Sequence, residues 1–224
     1  MYSGVNSSCS GSALAATPNP ARRCARSSSQ VSQEGLLSSA HTRLLDLLAE
    51  RSFRLGDFVL ASGARSDYYI DCRTSTMHAH GQVLMGEVGL AAIRDAGLRP
   101  DAVGGLTMGA DPLAYAIAAA SWRAGDPIHA FSVRKRAKRH GKGQRIEGCF
   151  EPGARVVVVE DVITTGGSAF QAVEAVNQAR GEVLGVLGLV DREEGGRATL
   201  EQAGLQTMVL YTASDLRAAV AAGE

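Results

Sequence analysis

Glu160 and Asp161 stand side by side directly after four consecutive valines, Val156–Val159. Val162 and Ile163 separate them from Thr164-Thr165-Gly166-Gly167-Ser168, and a helical pattern runs from Ala169 to about Ala179. A run of valines suits a strand buried on both faces, as the centre of a parallel sheet requires. Small residues that open a helix leave backbone N–H groups free, and the helix dipole favours an anion there. Two carboxylates beside such a cradle suit a ligand that carries both hydroxyls and a phosphate. A sugar phosphate meets that description.

Two further clusters carry chemistry. Arg134 to Arg145 holds seven Lys or Arg residues in twelve, together with His140, Gly141 and Gly143, and no acid. From its residues alone this stretch reads as a solvated charged loop, a nuclear-type basic patch, an RNA-binding stripe or a mobile lid. It holds no aromatic residue for base stacking, which argues against single-stranded nucleic acid. Asp191-Arg192-Glu193-Glu194 follows the apolar run Val183–Val190 and reads by itself as an exposed charge cluster at a strand end.

The elements that must position these clusters alternate. Leu37, His41, Leu44, Leu45, Leu47 and Leu48 recur at helical spacing, and Phe58–Leu60 and Tyr68–Ile70 read as short strands around Ser62-Gly63. A helix is expected over His78–Gly97, and a strand over Asp101–Leu106 that leads through Thr107-Met108-Gly109-Ala110-Asp111 into a helix reaching about Ala124. Ile128–Arg134 reads as a strand, and a short helix near 198–203, a strand at 207–211 and a helix from Ser214 close the chain. Strands alternating with helices, with ligand motifs at successive strand ends, predict an α/β doubly wound parallel sheet whose site lies along that edge.

Residues 1–35 differ in composition: serine is frequent, Glu34 is the only acid, and Arg22, Arg23 and Arg26 lie near Pro18 and Pro20. Little apolar surface is available to bury, so a disordered tail is expected, with an organellar transit peptide as the alternative. The remainder, 36–224, is long enough for one α/β domain. Lys and Arg together number 23, as do Asp and Glu, so no excess of charge marks the whole surface for nucleic acid. Cys9, Cys24, Cys72 and Cys149 form no CxxC pair, which favours reduced thiols and a cytoplasmic protein over a zinc site or disulfide frame. The apolar stretch from Pro112 to Trp122 is too short to span a bilayer, so no membrane partner is expected.

The stretch 155–168 resembles the phosphoribosyl pyrophosphate (PRPP) motif of the type I phosphoribosyltransferases. Phe53 to Cys72 is similar to the N-terminal hood of the orotate phosphoribosyltransferases within that family, and Arg134, Lys135, Lys138, His140 and Gly141 match their catalytic loop. The resemblance covers roughly 36–212. It implies a hood over about 36–75 and transfer of phosphoribose from PRPP to orotate, giving orotidine 5′-monophosphate and pyrophosphate in pyrimidine (UMP) synthesis. It also implies that Glu160 and Asp161 bind the ribose hydroxyls, and that Val162, Ile163, Thr164, Thr165, Gly166, Gly167 and Ser168 hold the 5′-phosphate side of PRPP. Arg134, Lys135, Lys138 and His140 would cover the pyrophosphate, with Lys138, Glu160 and Asp161 as the catalytic set. Thr164 and Arg192 would contact orotate. Mg²⁺ would ride on PRPP oxygens and water without a protein cage, and a homodimer would share its basic loops between sites.

The chain departs from the family at two points: Ala61 replaces a frequent lysine before Ser-Gly, and Gly109-Ala110-Asp111 stands where some members place another. Two alternatives share the PRPP motif. A purine phosphoribosyltransferase gives no reason for Asp191-Arg192 and the basic loop, and a PRPP-sensing regulator would need a DNA-binding domain that 35 residues cannot supply.

Overall fold

The computed structural model of the protein describes residues 21–59, 63, 65–136 and 145–223, with side chains from Gly35 onward. The chain divides into two compact units, Met1–Leu36 and Leu37–Glu224. Helix α1 spans Ala21–Ser52. Residues 1–20 of the expected tail lie outside the described residues. Within the larger unit, Ala40, Leu44 and Leu48 recur every fourth position on α1 and are buried, which accounts for the leucine spacing.

Strands β1 (Phe53–Val59) and β2 (Arg65–Ile70) pair antiparallel, from Phe53 opposite Ile70 to Val59 opposite Arg65. They form a two-stranded sheet of their own, the expected hood, and the rings of Phe53 and Tyr68 stack with centroids 5.3 Å apart. Ala61 and Ser62, which lie between them in sequence, are outside the described residues. A single helical turn, α2 (Arg73–Thr76), leads to α3 (Ala79–Asp95).

From there strands and helices alternate: β3 (Ala102–Leu106), α4 (Ala110–Arg123), β4 (His129–Val133), β5 (Ile146–Gly148), β6 (Arg155–Ile163), α5 (Gly167–Gln178), β7 (Glu182–Asp191), α6 (Gly196–Gln202), β8 (Thr207–Thr212) and α7 (Ala213–Gly223). The main sheet has the order β5-β4-β3-β6-β7-β8. Every neighbouring pair is parallel except β4–β5. The antiparallel edge strand β5 is an addition to the expected parallel sheet, and at three residues it is too short to show a periodic pattern. From β3 the chain steps outward to β4, then returns to lay β6 on the opposite side of β3. The strand order therefore reverses between β3 and β6, and a crevice opens outside their C-terminal ends.

The four valines of β6 divide between two cores. Val157 and Val159 pack with α1, α3 and α4, while Val156 and Val158 pack with α5, and all four are fully buried. Glycines let the sheet close up at the reversal point. A Cβ on Gly105 would overlap the Val159 carbonyl oxygen and crowd Ala110 Cβ, and one on Gly104 would press into the Phe131 ring. Gly105→Ala should therefore destabilise the fold by at least the ~1–3 kcal/mol typical of overpacking, read as a lowered urea midpoint with an unchanged slope.

Candidate active site

After its exposed first residue, Arg155, strand β6 is buried up to its C-terminal end, and there it carries the two acids. Glu160 is 7 % exposed, and one of its carboxyl oxygens, Oε2, is buried without a hydrogen-bond partner. Burial first, then the neighbouring Asp161 charge and a hydrogen bond with it, push the Glu160 carboxyl up to about 9, against a smaller opposing pull from Lys135. Lys135 at the root of the basic loop thus lies within electrostatic reach of the acid pair. Asp161 is half-buried, and its Oδ1 accepts the Val162 N–H at 3.0 Å.

The loop after β3 comes directly against Asp161. A Cβ on Gly109 would overlap Asp161 Oδ1 and lie 2.7 Å from its Cγ, so glycine is what permits the approach. Asp111, in the first turn of α4, accepts hydrogen bonds from Thr107 Oγ1 and Ser132 Oγ, each at 2.7 Å. It ties the end of β3 to the end of β4, where the basic loop begins. A cavity of about 710 Å³ opens beside this tie, lined in part by Thr107, Asp111, Ser132, Arg134 and Lys135. Arg134 is exposed and pairs with Glu147 at 3.0 Å.

On the other side of Asp161 the Thr164–Gly166 turn leads into α5. Gly166 has a left-handed backbone (φ 84°), and no side chain caps the helix start. The first N–H groups of α5 are therefore available to an anion, with exposed Thr165 and half-buried Ser168 beside them. Gly196 donates its N–H to the Thr164 carbonyl at 3.0 Å, and a side chain at 196 would overlap that carbonyl. The end of β7 is likewise tied in: Arg192 N–H donates to the Ile163 carbonyl at 2.9 Å. The Arg192 side chain is 9 % exposed, contacts Glu194 at 3.0 Å, and keeps its buried Nε without a partner.

Two adjacent strand ends, those of β6 and β7, thus present an acid pair, an anion cradle and a buried guanidinium. No family model matches the sequence. The chain is 44% identical over 184 residues to the orotate phosphoribosyltransferase of Aquifex aeolicus, covering 81% of this chain and 100% of that relative. It is 46% identical over 182 residues to the Rhodopseudomonas palustris (strain BisB5) enzyme of the same name, covering 80% and 96%. The chain belongs to the orotate phosphoribosyltransferase family.

Solved structures of orotate phosphoribosyltransferases share the fold. The Mycobacterium tuberculosis protein crystallised with Fe(III) dicitrate aligns with TM-score 0.71 and 43% identity over 79% of this chain and 98% of that one. A crystal form of that protein in complex with PRPP aligns with TM-score 0.65 and 36% identity, covering 80% and 92%.

Of the orotate phosphoribosyltransferase residues expected from sequence, Glu160, Asp161, Thr164, Thr165, Gly166, Gly167, Ser168 and Arg192 gather along the ends of β6 and β7, with Lys135 near Glu160. Val162 is half-buried, whereas the Ile163 side chain lies in the core, so Ile163 offers the site only its backbone. Lys138, His140 and Gly141 lie outside the described residues. Among the described residues, no group of three or more His, Cys, Asp or Glu is placed to hold a metal ion, and no helix is long and apolar enough to cross a membrane. Sequence reasoning missed the bridging role of Asp111 and the close fits at Gly109 and Gly196. Nothing in a linear pattern distinguishes a glycine demanded by a neighbour from one demanded by a turn.

The raised Glu160 carboxyl predicts a pH dependence of the ligand-free fold. Its folded value lies above the 4.5 of a free side chain, so the protonated state that the fold favours is available to both states only at low pH. Stability is then lost progressively as pH rises from about 4.5 towards about 9. Glu160→Gln removes that loss. Its unfolding free energy, read from urea titrations, should match the parent near pH 5 and exceed it increasingly up to pH 8, by a few kcal/mol at about 1.4 kcal/mol per pH unit. A constant difference across this range would show that Glu160 ionises freely.

Proposed function

We propose that this chain transfers the phosphoribosyl group of PRPP to orotate, giving orotidine 5′-monophosphate and pyrophosphate in pyrimidine synthesis. In the reaction the ribose C1′–O bond breaks and pyrophosphate leaves with its electron pair. A bond forms from C1′ to the orotate ring nitrogen, which gives up its proton. The transition state carries oxocarbenium character on the ribose and growing negative charge on pyrophosphate, so the protein must hold two ends in line and balance both charges.

The roles follow from position. Glu160 and Asp161 receive the ribose hydroxyls and place negative charge near the developing cation, and the unpartnered Glu160 Oε2 supports a ligand hydroxyl there. Thr164, Thr165, Gly166, Gly167 and Ser168 hold the 5′-phosphate at the uncapped start of α5. Backbone groups of Val162 and Ile163 support that turn. Arg134, Lys135, Lys138 and His140 cover the pyrophosphate. Mg²⁺ on PRPP oxygens and water would supply further neutralisation, and two acids with free lone pairs suit its water shell.

Arg192 is the observation that carries the choice of base. A buried guanidinium with an unpartnered Nε, beside a phosphoribosyl site, suits a planar carboxylate that accepts two parallel bonds. Uracil has no such group. The reading includes a cytoplasmic homodimer in which residues 134–145 serve the neighbouring subunit's site. Exposed Arg134, Lys135 and Arg136 at the loop's root support an outward reach.

With PRPP and Mg²⁺, orotate should be turned over and uracil, adenine and hypoxanthine should not; equal use of uracil would refute the reading. Arg192→Ala should raise the KM for orotate and leave that for PRPP nearly unchanged, as loss of a buried charge partner costs about 2–5 kcal/mol.

The basic loop has its own test. Ala61 stands where a lysine is frequent in the family, and Gly109-Ala110-Asp111 where some members place another, so more of the pyrophosphate charge falls on Arg134, Lys135, Lys138 and His140. Lys138→Ala should lower kcat by on the order of 10²–10³ with little change in PRPP affinity, because a contact made only in the transition state affects rate alone. Mixing Lys138→Ala chains with Asp161→Asn chains should restore activity, since one site of the mixed dimer receives both intact groups. No recovery after verified subunit exchange would mean that Lys138 closes over its own subunit's site or has no catalytic role.

A further inference from the structure

The Arg192 guanidinium has a second neighbour that the proposed reaction does not use. Its Cζ lies over the ring of Tyr68, 5.0 Å from the centroid, and the Tyr68 hydroxyl donates to the Arg192 carbonyl at 3.2 Å. Tyr68 belongs to the hood strand β2, more than a hundred residues away in sequence. The same ring carries a second cation, with Arg217 Cζ of α7 5.3 Å from the centroid. Arg217 is held in turn by Asp67, the residue before Tyr68, at 3.0 Å. Hood, β7 end and C-terminal helix therefore meet on one aromatic ring.

The kind of partner matters. A carboxylate facing Arg192 would consume the in-plane N–H donors that a substrate carboxylate needs. An aromatic face stabilises the charge from above the plane and leaves those donors free. In this structure one donor contacts Glu194 and the buried Nε keeps no partner. Glu194 and Asp67 also offset the repulsion between the two arginines, so the ring can serve both.

We propose that Tyr68 is a positioning residue for base recognition: its ring face holds the Arg192 guanidinium, buried and oriented, for the orotate carboxylate. The hood thereby sets the base preference of a site built on the main sheet. The inference rests on the assignment of Arg192 to orotate, and the test separates the two.

Steady-state kinetics and melting temperatures would be compared for the parent, Arg192→Ala, Tyr68→Phe and Tyr68→Leu. Tyr68→Phe keeps the ring and should change the KM for orotate by less than about 3-fold, whereas Tyr68→Leu should raise it about 5- to 30-fold. The KM for PRPP should stay within about 2-fold in both, a split that a merely structural role for the ring would not produce. Since Tyr68→Leu could fold poorly, a series of progressively fluorinated phenylalanines at position 68 would change the charge on the ring face at nearly constant shape. The logarithm of the KM for orotate should climb with fluorine count. A flat series, or a parallel rise in the KM for PRPP, would overturn the role of Tyr68 even if Arg192→Ala raises the KM for orotate. An Arg192→Ala variant with unchanged KM for orotate would overturn the Arg192 assignment itself.

Discussion

Strand β6 is buried on both faces, and it carries its polar residues only where the sheet ends. Val156–Val159 fill two cores by turns, so neither face of the strand can bear a charge until the flanking helices give way. At that point β3 and β6 diverge, and the chain opens into the crevice that receives Glu160 and Asp161. The glycines of β3 hold this arrangement together. Without a side chain at Gly105 the strand and the start of α4 close on the Val159 carbonyl, which brings the loop after β3 against Asp161. The active-site geometry thus derives from the packing of a fully buried strand.

That packing also explains the electrostatics. Two adjacent acids at the end of a buried strand cannot both ionise cheaply, and Glu160 takes the cost as a carboxyl pushed up to about 9. A ligand that brings hydroxyls, a metal ion or a positively charged ribose to the pair changes that balance in its own favour. The departures from the family are consistent with the same constraint. Any side chain at position 109 would have to displace Asp161, while Asp111 spends its carboxylate holding Thr107 and Ser132 in place. In the proposed reaction, cationic neutralisation is thereby left to the basic residues that begin at Arg134.

The base side of the site is organised differently. Arg192 is tied through its backbone to Ile163, so the guanidinium moves with the end of β6 as well as with β7. Its side chain is held through an aromatic face and a single carboxylate, which keeps it buried without exhausting its donors. In the proposed site, a phosphoribosyl half is built from the sheet and a base half is completed by the hood.

The amino-acid sequence by itself determined the elements and most of the residues of the proposed sugar-phosphate half of the site. Four valines, two acids and a Thr/Gly/Ser turn are contiguous, so strand, charge and anion cradle are encoded within fourteen residues and legible by local rules. The basic stretch after β4 and the Asp191-Arg192 pair were legible for the same reason. Tertiary structure alone decided what lies far apart along the chain. The edge strand β5 exists because β4 offers it a partner, and Gly109 and Gly196 are required by Asp161 and Thr164 rather than by their own turns. Tyr68 reads in sequence as one hood tyrosine among others. It becomes the support of Arg192 only because β2, the end of β7 and α7 are packed together, and no periodicity in the sequence reports a contact between residues 68, 192 and 217.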